Sequence, residues 1–188
     1  NGSAVDLVAI SSGVTGERTR GGATTTLASS TGFNAVPQDT LRFYMPIQNR
    51  GLLPSPATTM NVESPDGSVQ TAQVPSLPSL GQATVEVNRT VPNAYPIGQI
   101  SLSFQVDPNE SITDDGDRSN NNGVFSLWIG RLPVATLDMP AQSLTNSAVI
   151  LDASSSYDPD GGEFIGCNFF IESEDQIVEI SGGEECIV

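Results

Sequence analysis

The feature that most constrains this chain is a series of short apolar runs, each ended within a few residues by Gly, Pro, Asn, Asp or Ser. In Thr40–Asn49 the residues Leu41, Phe43, Met45 and Ile47 alternate with Arg42, Tyr44, Pro46 and Gln48. A period of two buries one face of a β-strand. Ile100, Leu102, Phe104 and Val106 repeat the pattern, and further runs lie at Val5–Ile10, Thr58–Glu63, Ser68–Val74, Thr84–Thr90 and Val124–Ile129. Ser64-Pro65-Asp66-Gly67 joins two of them as a hairpin turn, with Gly67 suited to positive φ. Pro46 argues for an edge position or a bulge, because proline cannot donate to a ladder. The Gly-, Ser- and Thr-rich stretch from Ser11 to Pro37 reads as a loop, exposed at Arg18-Thr19-Arg20-Gly21-Gly22, with room for one extra strand at Ala23–Ala28.

No segment has the apolar spacing of an amphipathic helix. Roughly seven short strands separated by turn residues, before a linker at Arg131-Leu132-Pro133, are the pattern of an immunoglobulin-like sandwich. Beyond the linker, Ala135–Asp138, Ala148–Leu151, Phe164–Ile171 and Gln176–Ile180 are four more strand-like runs. The expected fold is therefore all-β: tandem immunoglobulin-like β-sandwiches over residues 1–130 and 131–188, the second short of a full set of strands.

Charge narrows the partners. With 22 Asp and Glu against 7 basic residues, all of them Arg, the net charge is −15. Nucleic acids and anionic membrane surfaces both depend on basic residues for binding, so both are poor partners. The chain has no His, which removes the common Ser-His-Asp and Cys-His catalytic arrangements and every His-ligated metal site. A glycosidase would need two carboxylates held in a cleft with shifted pKa values; here the acids cluster in turns. No catalytic residues and no enzymatic activity are expected. No apolar run is long enough to span a membrane, and the polar opening Asn1-Gly2-Ser3 is not a signal peptide.

Several residues are candidates for a site. Asp107, Asp114, Asp115 and Asp117 surround a turn containing Gly116, and calcium favours such oxygen-rich, flexible loops; a solvated hairpin loop whose Asp and Asn cap backbone groups is the competing reading. Asp152, Asp158 and Asp160 form a second calcium candidate beside Gly161-Gly162, against simple turn chemistry. Apart from calcium no cofactor is expected. Cys167 and Cys186 flank a probable hairpin, and in an oxidising compartment a disulfide is their default state; the alternative is two reduced core thiols. Asn1, Asn88 and Asn109 each begin an Asn-X-Ser/Thr tripeptide and are glycosylation candidates. Trp128, in a final alternating strand, is expected in the core, whereas Tyr44 faces away from the apolar side of its strand and is the better candidate for exposure.

Asp6-Leu7-Val8, Gln48-Asn49-Arg50-Gly51, Val74-Pro75-Ser76-Leu77 before Gly81-Gln82-Ala83-Thr84-Val85, and Val106-Asp107-Pro108 leading to Asn120-Asn121-Asn122 occur in an order that resembles the cell-adhesion-related module CARDB. That resemblance covers about residues 1–130 and implies a seven-stranded immunoglobulin-like domain of surface proteins. In the remainder, Leu132-Pro133-Val134-Ala135 and Ile150-Leu151-Asp152-Ala153-Ser154-Ser155-Ser156-Tyr157-Asp158-Pro159-Asp160-Gly161-Gly162 resemble a polycystic-kidney-disease (PKD) type repeat, another extracellular sandwich. The Trp-Asp-Phe-Gly-Asp-Gly run of that family is absent, and the chain stops before its final strands.

The resemblances imply an extracellular or cell-surface location and a structural or adhesive role within a larger or filamentous assembly. Partners would be other protein chains or further domains of the same chain, engaged by β-strand addition, or polysaccharide. A different class of reading is an accessory module of a secreted hydrolase that binds carbohydrate or protein. A third is a polymerising subunit that donates the strand Val5–Ile10 to a neighbour.

Overall fold

The computed structural model describes residues 4–28, 32–162, 166–172 and 176–188. The chain divides into two compact units, Asn1–Gly130 and Arg131–Val188.

The first unit is a sandwich of two five-stranded sheets. One sheet contains β1 (Leu7–Ala9), β2 (Thr15–Arg20), β3 (Ala23–Ala28), β5 (Thr40–Asn49) and β8 (Gln82–Thr90). The other contains β4 (Phe33–Ala35), β10 (Asn122–Ile129), β9 (Gly98–Val106), β6 (Thr58–Glu63) and β7 (Val69–Val74), in that order across the sheet. Ladders are antiparallel except for β4, which runs parallel to β10.

The longest strand, β5, organises the first sheet. Its register with β8 runs from Thr40↔Thr90 to Gln48↔Gln82. Its other edge is shared: β2 pairs with residues 40–44 and β1 with residues 47–49. Pro46 sits in the gap between those two partners. Its carbonyl accepts from Ile10 N–H at 3.1 Å, so its backbone faces the gap, and the N–H it lacks is one that no ladder needs. Proline is thereby tolerated in the sheet's central strand rather than at the edge or bulge read from the sequence.

Alternation fixes which faces meet. Leu41, Phe43, Met45 and Ile47 from β5, Val85 and Val87 from β8, Ile100, Leu102, Phe104 and Val106 from β9, and Phe125, Leu127 and Ile129 from β10 all enter one core. Phe43 and Phe125 approach to 4.8 Å between ring centres, Phe33 lies 5.7 and 5.6 Å from them, and Phe104 lies 6.3 Å from Phe125. Two glycines make room for these rings. Gly16 pairs with Phe43 and Gly123 with Phe104. A Cβ on Gly16 would lie 2.8 Å from the Arg42 carbonyl oxygen and 3.2 Å from the Phe43 ring, and one on Gly123 would strike the Phe104 ring.

Three sequence expectations are corrected here. Arg18-Thr19-Arg20 belongs to β2, whose hairpin with β3 turns at Gly21-Gly22 and is registered from Thr15↔Ala28 to Arg20↔Ala23. Its residues are mostly polar because only Gly16 of β2 and Leu27 of β3 are buried, so the hairpin carries little apolar alternation. Trp128 is not in the core: with Phe125, Leu127 and Ile129 inside, period two turns Val124, Ser126 and Trp128 outward, and Trp128 is 54% exposed. Tyr44 is half-buried rather than exposed, on the outer side of β5 with Arg42.

The second unit contains β11 (Cys167–Glu172) and β12 (Ile177–Gly183), an antiparallel pair with a register shift between Cys167 and Asn168. Ala135–Asp138 and Ala148–Leu151 are not strands. Around them only isolated bridges form, Val134↔Tyr157, Asp138↔Asp152 and Asp152↔Ile187. The small core is Ala153, Phe169 and Cys186, with Leu151, Cys167, Ile180 and Val188 packed against it. With so little core to enter, Leu137, Met139, Leu144, Ile150, Phe170 and Ile177 remain exposed. Phe164 and the start of the run read from the sequence lie outside the described residues.

Gly123→Ala should destabilise the first unit by about 1–3 kcal/mol, the usual cost of overpacking a core. Urea unfolding should show a lower midpoint with an unchanged slope.

Candidate functional site

The acidic loop from Asp107 to Asn122 is built around one carboxylate. Asp107 follows β9 in the left-handed region at φ 51°, which Asp tolerates, and is only 2% exposed. Its Oδ1 accepts from Thr58 Oγ1 at 2.8 Å, from Ser111 N–H at 3.0 Å and from Ser111 Oγ. Its Oδ2 accepts from Ile112 N–H at 3.0 Å and faces Arg118 Nη1 at 3.6 Å. Burial pushes this carboxyl toward its neutral form, but the donors from Ser111, Ile112 and Thr58 outweigh burial and hold its pKa below the usual carboxylate range. With both oxygens occupied by protein donors and an arginine alongside, Asp107 is a poor cation ligand.

The other acids of the loop act locally. Asp115 accepts from Asn121 Nδ2 at 2.9 Å and from Asp117 N–H at 3.4 Å. Asp117 caps the short 3-10 turn Arg118–Asn121, accepting from Ser119 N–H at 3.1 Å and Ser119 Oγ at 2.5 Å. Asp114 is exposed, and its carbonyl accepts from Val5 N–H at 3.3 Å. In the second unit, Asp152 accepts from Ser154 N–H and Asp158 from Asp160 N–H, both at 2.8 Å. Asp160 accepts from Arg131 N–H and lies 3.9 Å from Arg131 Nε. Hydrogen bonds from the Ser154 side chain and backbone lower the Asp152 pKa. Among the described residues, no three acidic or cysteine side chains converge as a metal-binding group.

Two buried polar residues have roles that the sequence did not show: Asp39 was not singled out, and Asn49 entered within the Gln48-Asn49-Arg50-Gly51 run that carries the family resemblance. Asp39, 2% exposed, pairs with Arg20 in fork geometry, Nε to Oδ1 at 2.8 Å and Nη2 to Oδ2 at 2.7 Å, and also accepts from Val36 N–H at 2.9 Å. Burial opposes its charge, but Arg20 and Val36 outweigh it and lower its pKa. Asn49 is wholly buried. Its Oδ1 accepts from Asp6 N–H and Gly51 N–H, and its Nδ2 donates to the carbonyls of Leu53 and Pro78 at 2.8 and 3.2 Å. It pins β1 and two loops at one corner. All these partners but Gly51 and Leu53 are remote in sequence, and Asp39 resembles any turn aspartate, so no local signal showed what either residue holds.

Cys167 and Cys186 are disulfide-bonded, with Cα atoms 5.1 Å apart. Asn88 lies exposed on β8, donating to Glu86 and accepting from Arg42, Asn109 is exposed in the acidic loop, and Asn1 lies outside the described residues. In the second unit an open concavity of about 1090 Å³ is lined by apolar groups including Leu137, Met139, Val149, Phe169 and Ile171. β1 is paired to β5 and buried, so in this structure Val5–Ile10 is not free for donation. No described helix is long and apolar enough to cross a membrane.

The family model named CARDB matches residues 26–125. The chain belongs to the CARDB family. That match runs from the end of β3 through β4 to β9 and the first half of β10, including the loop built on Asp107. Among solved structures, the crystal structure of a CARDB domain from Pyrococcus furiosus in complex with di-metal ions has a TM-score of 0.49 and 16% identity, covering 66% of this chain and 88% of its own. A solution structure of a CARDB domain from the same organism gives 0.49 and 14%, with 68% and 96% covered. A domain of an inferred cell-surface protein from Methanosarcina acetivorans gives 0.44 and 22%, with 66% and 91% covered. No curated protein matches the chain.

The lowered pKa values of Asp107 and Asp39 make the CARDB unit acid-sensitive. A carboxyl with a lowered folded pKa contributes stability fully above its unfolded value of about 4 and loses it as pH falls through the folded value. Thermal midpoints should therefore drop steadily below about pH 4. Asp107→Asn places an amide donor against N–H donors; it should cost about 2–4 kcal/mol at neutral pH and flatten the acid dependence, both read by chemical denaturation across pH. In the second unit, Cys167→Ser with Cys186→Ser should remove about 3 kcal/mol, read as early loss of amide protection in residues 166–188.

Proposed function

We propose that this CARDB chain is a non-catalytic, structural module of an extracellular or cell-surface protein, working in adhesion between its parent assembly and other components. The family match over residues 26–125 carries this reading. Three features support it. Among the described residues the buried carboxylates, Asp39 and Asp107, have pKa values lowered by their donors, the opposite of the raised pKa a general acid uses. In the loops Asp107, Asp115, Asp117, Asp152 and Asp158 serve as caps and turn ties. The disulfide suits an oxidising compartment.

Residues 131–188 we read as part of a PKD-like repeat, on the run from Ile150 to Gly162. Its partners would be further domains of the same chain or other chains, adding an apolar strand to the β11–β12 pair; the exposed apolar concavity supports that mode. The accessory-module reading is favoured by one observation, the exposure of Trp128.

Displayed on the surface of a non-adherent cell, the chain should promote attachment to the cells or matrix of its source. Attachment no greater than that of an empty display scaffold would remove the adhesive role. Because both oxygens of Asp107 are taken by protein donors, and Asp115 and Asp117 are engaged in tying and capping the loop, millimolar calcium should leave the thermal midpoint within about 1 °C, a shift smaller than even a weak bound-ligand linkage produces. A rise of several degrees would assign the loop an ion-binding role.

A further inference from the structure

We propose that the outer face of the β4-β10-β9-β6-β7 sheet, centred on Trp128, binds an uncharged polysaccharide. The proposal rests on the adhesive reading and names the class of partner. Trp128 stands on the solvent side of β10, 54% exposed, and is the only tryptophan in the chain. Leaving an indole in water forfeits one of the largest burial gains available to a side chain. Its neighbours in register are Gln99 on β9 and Asn34 on β4. One step along, Ser126 faces Ser101, and Gln99 Nε2 donates to Ser126 Oγ at 2.9 Å. The row continues across β6 and β7, where Thr71 Oγ1 donates to Asn61 Oδ1 at 2.8 Å.

Charge is almost missing from this face. Among the described residues of these strands, Glu63 supplies its one carboxylate, at a far corner, and no arginine lies on them; Arg18 borders the face and donates to Asn34. The chain otherwise carries 22 acidic residues. The outer face of the other sheet has Arg42 between Glu17 and Glu86, at 3.9 and 3.3 Å. Amides and hydroxyls around an exposed indole suit a neutral sugar: the ring takes the C–H face of a pyranose, and the amides exchange hydrogen bonds with its hydroxyls. An acidic glycan would instead meet the field of a chain at −15.

Topology adds a groove. Among the described residues β4 pairs with β10 at residues 127–129, and farther along that strand Val124 N–H donates to Ser11 Oγ at 2.9 Å. There a concavity of about 440 Å³ opens, lined by Ser11, Ser12, Phe33, Val124 and Ser126. Ser126 thus belongs both to the groove and to the face that carries Trp128.

The single tryptophan makes the test direct. The full chain is titrated with mannan, laminarin and cellohexaose as neutral probes and with alginate as the anionic one, following tryptophan emission and acrylamide quenching. At least one neutral probe should shift the emission to the blue and protect the indole, and alginate should not. In native gels containing that probe, Trp128→Ala should weaken retardation by about tenfold or more, the scale of one aromatic contact. Gln99→Ala with Ser101→Ala should weaken it without touching the indole, and Tyr44→Ala on the opposite sheet should leave it unchanged. Thermal midpoints identify any variant that fails to fold, in which case the Gln99/Ser101 variant decides. The proposal is overturned by an unchanged emission with every neutral probe, by equal binding of alginate, or by undiminished retardation of Trp128→Ala. If cell attachment persists in Trp128→Ala, the polysaccharide face falls and the adhesive reading stands; if the wild-type chain neither attaches nor binds a probe, both fall.

Discussion

Four phenylalanine rings meet between the two sheets of the first unit, and the rest of that unit is arranged to let them meet. Phe43 and Phe125 reach across the gap at 4.8 Å between centres, and Gly16 and Gly123 remove the side chains that would keep Phe43 and Phe104 from lying over a neighbouring strand. An aromatic ring covering a cross-strand glycine restores the packing the glycine lacks and fixes register. Register in turn decides which side chains face water, because a slip of one residue exchanges the two faces of a strand. The outward position of Trp128 is therefore a consequence of where Phe125 sits.

Around this apolar centre, polar residues hold the ends of strands. Asp39 ties the close of the β2–β3 hairpin to the turn before β5 through Arg20. Asp107 gathers the chain after β9, and Asn49 joins β1 to two loops. Each is buried, and each has its oxygens or amide engaged, which is the condition under which buried polar groups are tolerated. The acidic composition thus has two parts. A few carboxylates are structural and charged because of their donors, and most of the others lie in solvated turns and on the outer sides of strands.

The sandwich of the first unit was legible in the sequence because its main strands alternate cleanly: β5, β9 and β10 each carry three or more apolar residues at period two. Trp128 was misjudged because an aromatic residue in a strand suggests burial, although Phe125, Leu127 and Ile129 already define the inward phase. The β2–β3 hairpin was hidden by its polar residues, since pairing with β5 rather than apolar content makes it a sheet. In the second unit, Ala135–Asp138 and Ala148–Leu151 have strand-like composition but only single bridges as partners, and composition says nothing about partners. The partners of Asp39 and Asn49 were invisible for the same reason, although Asn49 lay in a run that carried the family resemblance. The polar face around Trp128 could not be read as a surface at all until β4, β9 and β10 were placed side by side.

The entry of the chain into the first unit has a mechanical meaning. Residues 4–9 are stitched on one side to β5 and the loop after it, through Arg50 N–H to Asp6 and Leu53 N–H to Ala4, each at 2.7 Å. On the other side they are tied to the acidic loop, through Gly116 N–H to Val5 at 2.9 Å and Asn120 Nδ2 to Asp6 at 2.9 Å. Tension applied ahead of residue 4 is therefore divided at once between the two sheets instead of peeling one strand from one edge. Bonds loaded together in this way yield together, so the sandwich resists a pull as a single body, and the acidic loop is one of its anchoring points.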